Sequence, residues 1–430
     1  MDTLISGVTV VTMNERMDVL FGAYIGIDGG KISYIGKTAP AEQPKTIIEG
    51  TGMVAIPGLV NCHTQLAATS LRGLLDELEG NQALEQLLQL EARMDSRSAK
   101  AAATVGAAEC LRFGITSVSD LYYYPEATAQ VLSECGMKGN LALSSYRFTD
   151  ENEPFDFDTD EQCRELQRLV EKWHGYDDGR IRIDAGIHSE YTSNYPLWEG
   201  ITAYAADKGI GMQLHLNETE AEAASCEDRT GLRTAELLAC HGFFQMPTTT
   251  VGCADLSEEE LQLLGKRKVN AVALPMTAAR AKTPATDIPK CVKAGMNVAL
   301  GTGGVYQSGS TDLFETMRFA AIGSQLPPQA ALMMATVCGA RAQGRSDTCG
   351  MLKEGMDADI VLVDFSAPHL MPCHNVLTGL VYSAKGGDVA MTMVRGKILY
   401  QNGQVPTLDL GAAVRELTGY AIPRLLGGDK

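Results

Sequence analysis

The chain has 430 residues, 45% of them apolar and 21% charged, and carries a net charge of −17 from 36 Lys+Arg against 53 Asp+Glu. That is the composition of a soluble globular protein too long for one small core, and without a basic block or RNA-binding motif it excludes nucleic acid as a partner. No run reaches the about 18 apolar residues of a membrane span, and the start, MDTLISGVTVVTM, lacks the basic n-region and apolar stretch of a signal peptide.

The first 55 residues alternate and turn as β-structure. LISGVTVVTM reads as one strand, and YIGIDGGKISYIG as a hairpin about Gly29-Gly30. Residues 54–352 then alternate strand with helix. Short apolar or β-branched runs at 54–61, 115–120, 140–147, 180–187, 210–216, 248–253, 268–274 and 296–301 predict eight strands. Helical patterns such as 98–114 and 160–175 lie between most of them. Beyond them, DADIVLVDF (357–365) and DVAMTMVRGKILYQNGQ (388–404) return to β-structure, the latter turning at Arg395-Gly396-Lys397. The expected fold is α/β: a (β/α)8 TIM barrel over 57–352, with a composite β-sandwich built from 1–56 and 353–430. Eleven cysteines are scattered with no CxxC pair, which suits reduced thiols in the cytoplasm.

In such barrels chemistry gathers at the C-terminal strand ends. Here those ends are His63, Asp120, Arg147, His188, His215, Cys253, Pro275 and Thr302, so three of only seven histidines fall at them. In QLHLNETEAE, His215 ends a strand and Glu218 follows as the chain enters a helix. A neutral imidazole there can bind a metal while the carboxylate moves a proton, although a helix-starting acid is also simply favoured by the helix dipole. His188 opens a polar loop with Tyr191, Thr192 and Ser193, the setting for substrate contact. The glycine-rich stretch 299–314 lacks the GxxxxGK[ST] spacing of a phosphate cradle. In VNCHTQLAATSLRG, His63 is followed two residues later by Gln65, where a second histidine would complete a metal pincer.

Taken in order, ISGVTVVTM, PGLVNCHT, SLRGL, FGITSVSD, HSEYT, HLNETEAE, CADLSEEE, AGMNVALGTGG, GMLKEGMDADIVLVD and DVAMTMVRGKILY resemble the amidohydrolase superfamily, in its cytosine-deaminase-like and chlorohydrolase branch. The similarity is greatest to the methylthioadenosine/S-adenosylhomocysteine deaminases, and it covers almost the whole chain. The resemblance implies one divalent metal at the barrel mouth, a metal-bound hydroxide attacking a ring carbon, and release of ammonia. Carried over position by position, it makes His63 and His215 metal ligands, Glu218 the proton shuttle, His188 a substrate contact, and Glu91 a holder of ribose hydroxyls. Arg72 and Gln65 complete the expected polar pocket. Three positions depart from the pattern: Gln65 replaces the second histidine of HxH, Gly252 a strand-six histidine, and Gly303 the aspartate of LGTDG. Ala273 and LPMTAAR also replace a polar strand-seven segment.

Three readings follow. The first is a hydrolase-like enzyme acting on a purine, nucleoside or other N-heterocycle by altered or metal-independent chemistry. The second is an inactive homologue that binds a ligand or partner. The third is a C–N hydrolase, a deaminase with an unusual metal site. Zinc wants three or four donors with an anion among them, so no tightly held cofactor is expected, only weak zinc or another divalent metal. The expected partners are a small molecule and a second copy of the chain, with neither nucleic acid nor membrane.

Overall fold

The chain opens with β1 (Thr3–Val11), β2 (Val19–Asp28), β3 (Lys31–Gly36), β4 (Thr46–Glu49) and β5 (Met53–Pro57). It continues through β6 (Leu59–Thr64), β7 (Ile115–Tyr122), β8 (Lys138–Leu143), β9 (Ile181–Gly186), β10 (Met212–Leu216), β11 (Thr248–Gly252), β12 (Asn270–Ala273) and β13 (Asn297–Leu300). It closes with β14 (Ile360–Asp364), β15 (Val389–Val394) and β16 (Lys397–Gln401). The computed structural model describes residues 1–76 and 80–427; residues 77–79 and 428–430, which the expected barrel and sandwich include, lie outside the described residues.

Strands β6 to β13 pair in sequence order and in parallel. The ring is drawn shut at its C-terminal end, where the His63 carbonyl accepts the Thr302 N–H at 3.1 Å and the Gly303 N–H at 3.0 Å. This is the expected TIM barrel. Strands β6, β7 and β8 are buried along their whole length, because helices cover the outside and side chains fill the inside. The helix Ser96–Arg112 starts where the Asp95 carboxylate accepts the Ser98 N–H at 2.8 Å.

The remaining strands hydrogen-bond as one mixed sheet in the order β16-β15-β14-β5-β1-β2-β3, with β4 on β1. Its core holds Ile5, Val10, Ile25, Ile27, Ile360 and Met393. Both expected hairpins are present. Asp28 pairs with Lys31 across Gly29 (φ 54°) and Gly30 (φ 78°), and Val394 pairs with Lys397 across Arg395 (φ 47°) and Gly396 (φ 74°). Two positive φ values in succession make two-residue turns whose twist suits the strands.

The expected first barrel strand, 54–61, is instead two strands. Met53–Pro57 pairs with β14 in the terminal sheet, and only Leu59–Thr64 enters the barrel. The apolar run is continuous, so periodicity cannot show the break. Gly58 lies between the two strands, packed so closely that a Cβ there would lie 2.1 Å from Thr116 Oγ1. β4 has no counterpart in the sequence reading, being a short edge strand of mostly exposed residues.

The barrel floor is polar. Asn140 and Gln213 both donate to Asp184 Oδ2, at 3.2 and 2.9 Å. Beneath it Lys138, its side chain 1% exposed, places Nζ 2.7 Å from Asp357 and 2.6 Å from Asp359, both on the chain leading into β14. Arg395 and Lys31 also reach Asp357, at 3.3 and 3.0 Å. This ion cluster fastens the barrel to the terminal sheet. Among the described residues no helix is long and apolar enough to cross a membrane, and all eleven cysteines are free.

Candidate active site at the barrel mouth

His63, His188 and His215 come together above the C-terminal strand ends. The His63 and His215 rings are 5.0 Å apart and near perpendicular, and those of His188 and His215 are also 5.0 Å apart. His215 Nδ1 lies 2.8 Å from the His188 carbonyl, so that nitrogen carries the proton and donates it. Its Nε2 therefore presents a lone pair, and His63 Nε2 stands 3.3 Å away. His63 Nδ1 is buried and has no hydrogen-bond partner in the protein. His188 Nδ1 lies 3.1 Å from Thr192 Oγ1 and 3.2 Å from Ser189 Oγ. Burial, and then the neighbouring rings, hold His63 well below the ordinary histidine value and His188 at about 3, so both are neutral at physiological pH.

The two Nε2 atoms suit one metal ion. Two nitrogens bound tetrahedrally to zinc sit roughly 3.3 Å apart at ordinary bond lengths. The rest of the donor set does not suit it. Among the described residues no group of three or more His, Cys, Asp or Glu side chains is arranged to hold a metal. Gln65 sits 9% exposed at the head of the 3-10 helix Leu66–Leu71, and its Oε1 is buried without a partner. That oxygen lies over Gly304, where a Cβ would meet Gln65 Oε1 at 2.6 Å and the Tyr306 ring at 2.4 Å. The Gln65 amide is neutral, a weaker donor than an imidazole, and it supplies no negative charge.

The glycines at 252 and 303 do not leave empty space. Gly252 has φ +96°, and a Cβ on it would lie 2.7 Å from Glu218 Cγ. The Glu218 side chain thus fills the place into which a residue-252 side chain would project. Gly303 has φ +67°, with Thr277 Oγ1 3.1 Å from its ideal Cβ. Below them Val60, Cys62, Val251, Val272, Leu274 and Ala299 form an apolar cluster.

Glu218 starts a turn governed by Glu222. The Glu222 carboxylate accepts the N–H groups of Asn217 at 3.2 Å and Glu218 at 2.9 Å, while Thr219 Oγ1 accepts the Glu222 N–H at 3.2 Å. Burial, then Glu218, pushes the Glu222 carboxyl up to about 7. Sequence reasoning passed over Glu222, although TxxE at a helix start is a capping signature. It also passed over Tyr306, whose phenol is raised by burial and then by Glu91 and Glu218, which places it within electrostatic reach of both carboxylates. Glu91 accepts the Tyr122 hydroxyl at 2.6 Å, and burial pushes its carboxyl up to about 7 against that hydrogen bond. The Arg72 guanidinium binds Glu109 and the Gly309 carbonyl.

Residues 54–399 match the model of the amidohydrolase family. The chain is 33% identical to the 5′-deoxyadenosine deaminase of Methanosarcina acetivorans over 424 residues, covering 96% of each chain. It is 31% identical to the 5-methylthioadenosine/S-adenosylhomocysteine deaminase of Moorella thermoacetica over 427 residues, covering 96% of this chain and 98% of that one. These relatives are named as deaminases, hydrolases of C–N bonds. Among solved structures, an adenosine deaminase from Xanthomonas campestris with bound zinc superposes with a TM-score of 0.93 at 27% identity over 99% of both chains. An atrazine chlorohydrolase from Arthrobacter aurescens complexed with zinc superposes with a TM-score of 0.89 at 25% identity, over 98% of this chain and all of that one. Eight parallel strands, histidines at the ends of the first, fourth and fifth, and this breadth of similarity leave one conclusion: the chain belongs to the amidohydrolase family.

Proposed function

We propose that the barrel mouth binds an adenosine-like nucleoside and hydrolyses a C–N bond on its base without a tightly held zinc. The observation that carries this reading is the convergence of the His63, His188 and His215 rings at the barrel mouth, with Glu218 on the turn that follows His215 and Tyr306 within electrostatic reach of Glu91 and Glu218. In it Glu218 takes the proton of the attacking water and passes it to the leaving nitrogen. His188, held by Thr192 and Ser189, contacts the base, and Glu91 takes the ribose hydroxyls. The paired His63 and His215, with Gln65, orient the water. Proton transfer by a positioned side chain is worth about 10²–10⁴ in rate. Ammonia release from adenosine, 5′-deoxyadenosine and methylthioadenosine, by protein prepared without chelator and of measured metal content, tests the proposal. Glu218→Gln is expected to keep nucleoside binding and lose at least about 100-fold in kcat. Unchanged turnover removes Glu218 from the chemistry.

A second reading, binding without turnover, draws on Gly252, where the strand-six side chain is absent and its space is taken. Nucleoside affinity with no ammonia released from any of the three substrates selects it.

Glu91 gives the binding step a pH dependence. Because burial raises its carboxyl to about 7, the charged form that grips a diol builds up only as pH rises through that value. Nucleoside affinity is expected to increase between about pH 6 and 8, and Glu91→Gln to weaken binding and flatten the profile. Titration calorimetry at three pH values checks both. An affinity that falls over this range contradicts the assignment.

A further inference from the structure

The loop that carries His188 and the helix that follows Glu218 are joined by an ion pair. Glu190 opens the 3-10 turn Glu190–Thr192 just beyond His188, and its side chain is 2% exposed. Arg229 stands in the last turn of the helix Glu220–Thr230, with its side chain 49% exposed. Its Nη2 reaches both carboxylate oxygens of Glu190, at 2.9 and 2.8 Å. An ion pair between two exposed side chains commonly contributes almost nothing. Here the carboxylate is out of water, so its charge depends on the partner.

The two ends of this bridge are held very differently. The His188 loop is tied to the barrel: the His188 N–H donates to the Ser145 carbonyl at 2.8 Å, the His215 N–H to the His188 carbonyl at 2.9 Å, and the Arg147 N–H to the Thr192 carbonyl at 2.9 Å. Within the loop the Ser189 N–H donates to Thr192 Oγ1 at 3.2 Å, and Ser193 Oγ to the Ser189 carbonyl at 2.7 Å. The helix is lightly packed: of its 11 side chains only Ala223 and Cys226 are buried. Its first turn nonetheless carries Glu218, through the Glu222 carboxylate that accepts the Asn217 and Glu218 N–H groups. Such a helix gives Glu218 a defined place only if polar contacts fix it, and Arg229 supplies one about two turns beyond Glu222.

We propose that Glu190 and Arg229 are a positioning pair, which holds this helix against the His188 loop and so sets where the Glu218 carboxylate stands relative to the imidazoles. The inference rests on the nucleoside reading above, in which Glu218 moves the proton. The pair acts through Glu218, and misplacing a reacting group by about 1 Å can cost on the order of 100-fold in rate.

Ammonia release from adenosine, together with amide hydrogen exchange, tests it on the unaltered protein, on Arg229→Met, on Arg229→Lys, and on Glu190→Gln combined with Arg229→Met. Arg229→Met is expected to lower kcat by at least about tenfold and to leave KM within about threefold, because His188 keeps its own ties to the barrel. The double variant strands no buried charge and is expected to lose the same factor, since either change breaks one contact. Arg229→Lys should recover most of the loss: a single nitrogen makes both bonds, and an ammonium can do the same. The amides of residues 217–230 should exchange at least about tenfold faster in Arg229→Met and in the double variant, with those of β10 unchanged. An unchanged kcat in the double variant overturns the proposal, and so does a loss that Arg229→Lys leaves in full. A rise in KM at constant kcat overturns it too, because the pair would then serve the His188 loop alone. If the unaltered protein releases no ammonia, the hydrolytic reading falls by itself, and the exchange rates of residues 217–230 still decide whether the pair holds the helix.

Discussion

Lys138→Met is expected to destabilise the fold by about 3–5 kcal/mol, the cost of stranding buried charge when one partner of a buried ion pair is removed. Methionine fills the volume but leaves Asp357 and Asp359 facing each other beneath the barrel floor. Arg395 and Lys31 still serve Asp357, whereas Asp359 keeps only the Cys349 thiol at 3.3 Å and the Arg395 N–H at 2.9 Å. Adding Asp359→Asn should therefore recover part of the loss. The pH dependence has a definite sign. Burial raises the Asp357 carboxyl, but Lys138 and then Lys31 outweigh that and hold it at about 2. A depressed carboxyl contributes stability above its unfolded value of roughly 4 and loses it as pH falls through 2. The gap between unaltered protein and Lys138→Met should thus narrow on acidification below about pH 4. Urea denaturation at pH 7 and at pH 3.5 measures both quantities, and a loss under 1 kcal/mol at pH 7 would show that the cluster is not what fastens the two sheets.

Zinc affinity is the second large expected effect. Gln65→His with Gly303→Asp should raise it by at least roughly 10²–10⁴-fold, counting each regained ligand at no less than the about 10–100-fold an outer-shell partner is worth. The His63 and His215 nitrogens already stand at the spacing of two ligands on one ion. The left-handed φ of +67° at position 303 is one that aspartate tolerates better than most residues. The tight spot is Thr277 Oγ1, 3.1 Å from the new Cβ, which must turn aside or hydrogen-bond the carboxylate. A histidine at 252 is a worse repair, because at φ +96° its Cβ runs into Glu218. Metal analysis after dialysis against zinc of known free concentration, on the unaltered and doubly substituted proteins, gives the comparison. One tightly bound metal per chain in the unaltered protein would refute the metal-poor reading and leave the unusual-metal alternative in its place.

Much of the architecture was legible because barrel strands are short, apolar and regularly spaced, and because their polar ends mark the mouth. His63, His188 and His215 were readable on that ground alone. What escaped the sequence depends on contacts between distant positions. Val54 and Leu59 look alike, yet Met53–Pro57 pairs with β14 and Leu59–Thr64 with β7, a choice of partner that no local pattern records. The ion pair of Arg72 with Glu109, on the helix Ser96–Arg112, is recorded by no local pattern. Gly252 and Gly303 read as lost chemistry, whereas whether their space is vacant or filled follows only from where Glu218 and Thr277 lie.

The place of β5 in the terminal sheet bears on how the chain reaches its fold. This strand lies between β1, made before it, and β14, made some three hundred residues after it. As it emerges, β5 has one edge without a neighbour, and the barrel strand that follows it across Gly58 is tied to the same unfinished sheet. Pairings of such long sequence separation form late, since chain entropy is lost before they return any stabilisation. Until β14 is made, β5 keeps an apolar edge open, the kind of surface that chaperones hold and that otherwise seeds aggregation.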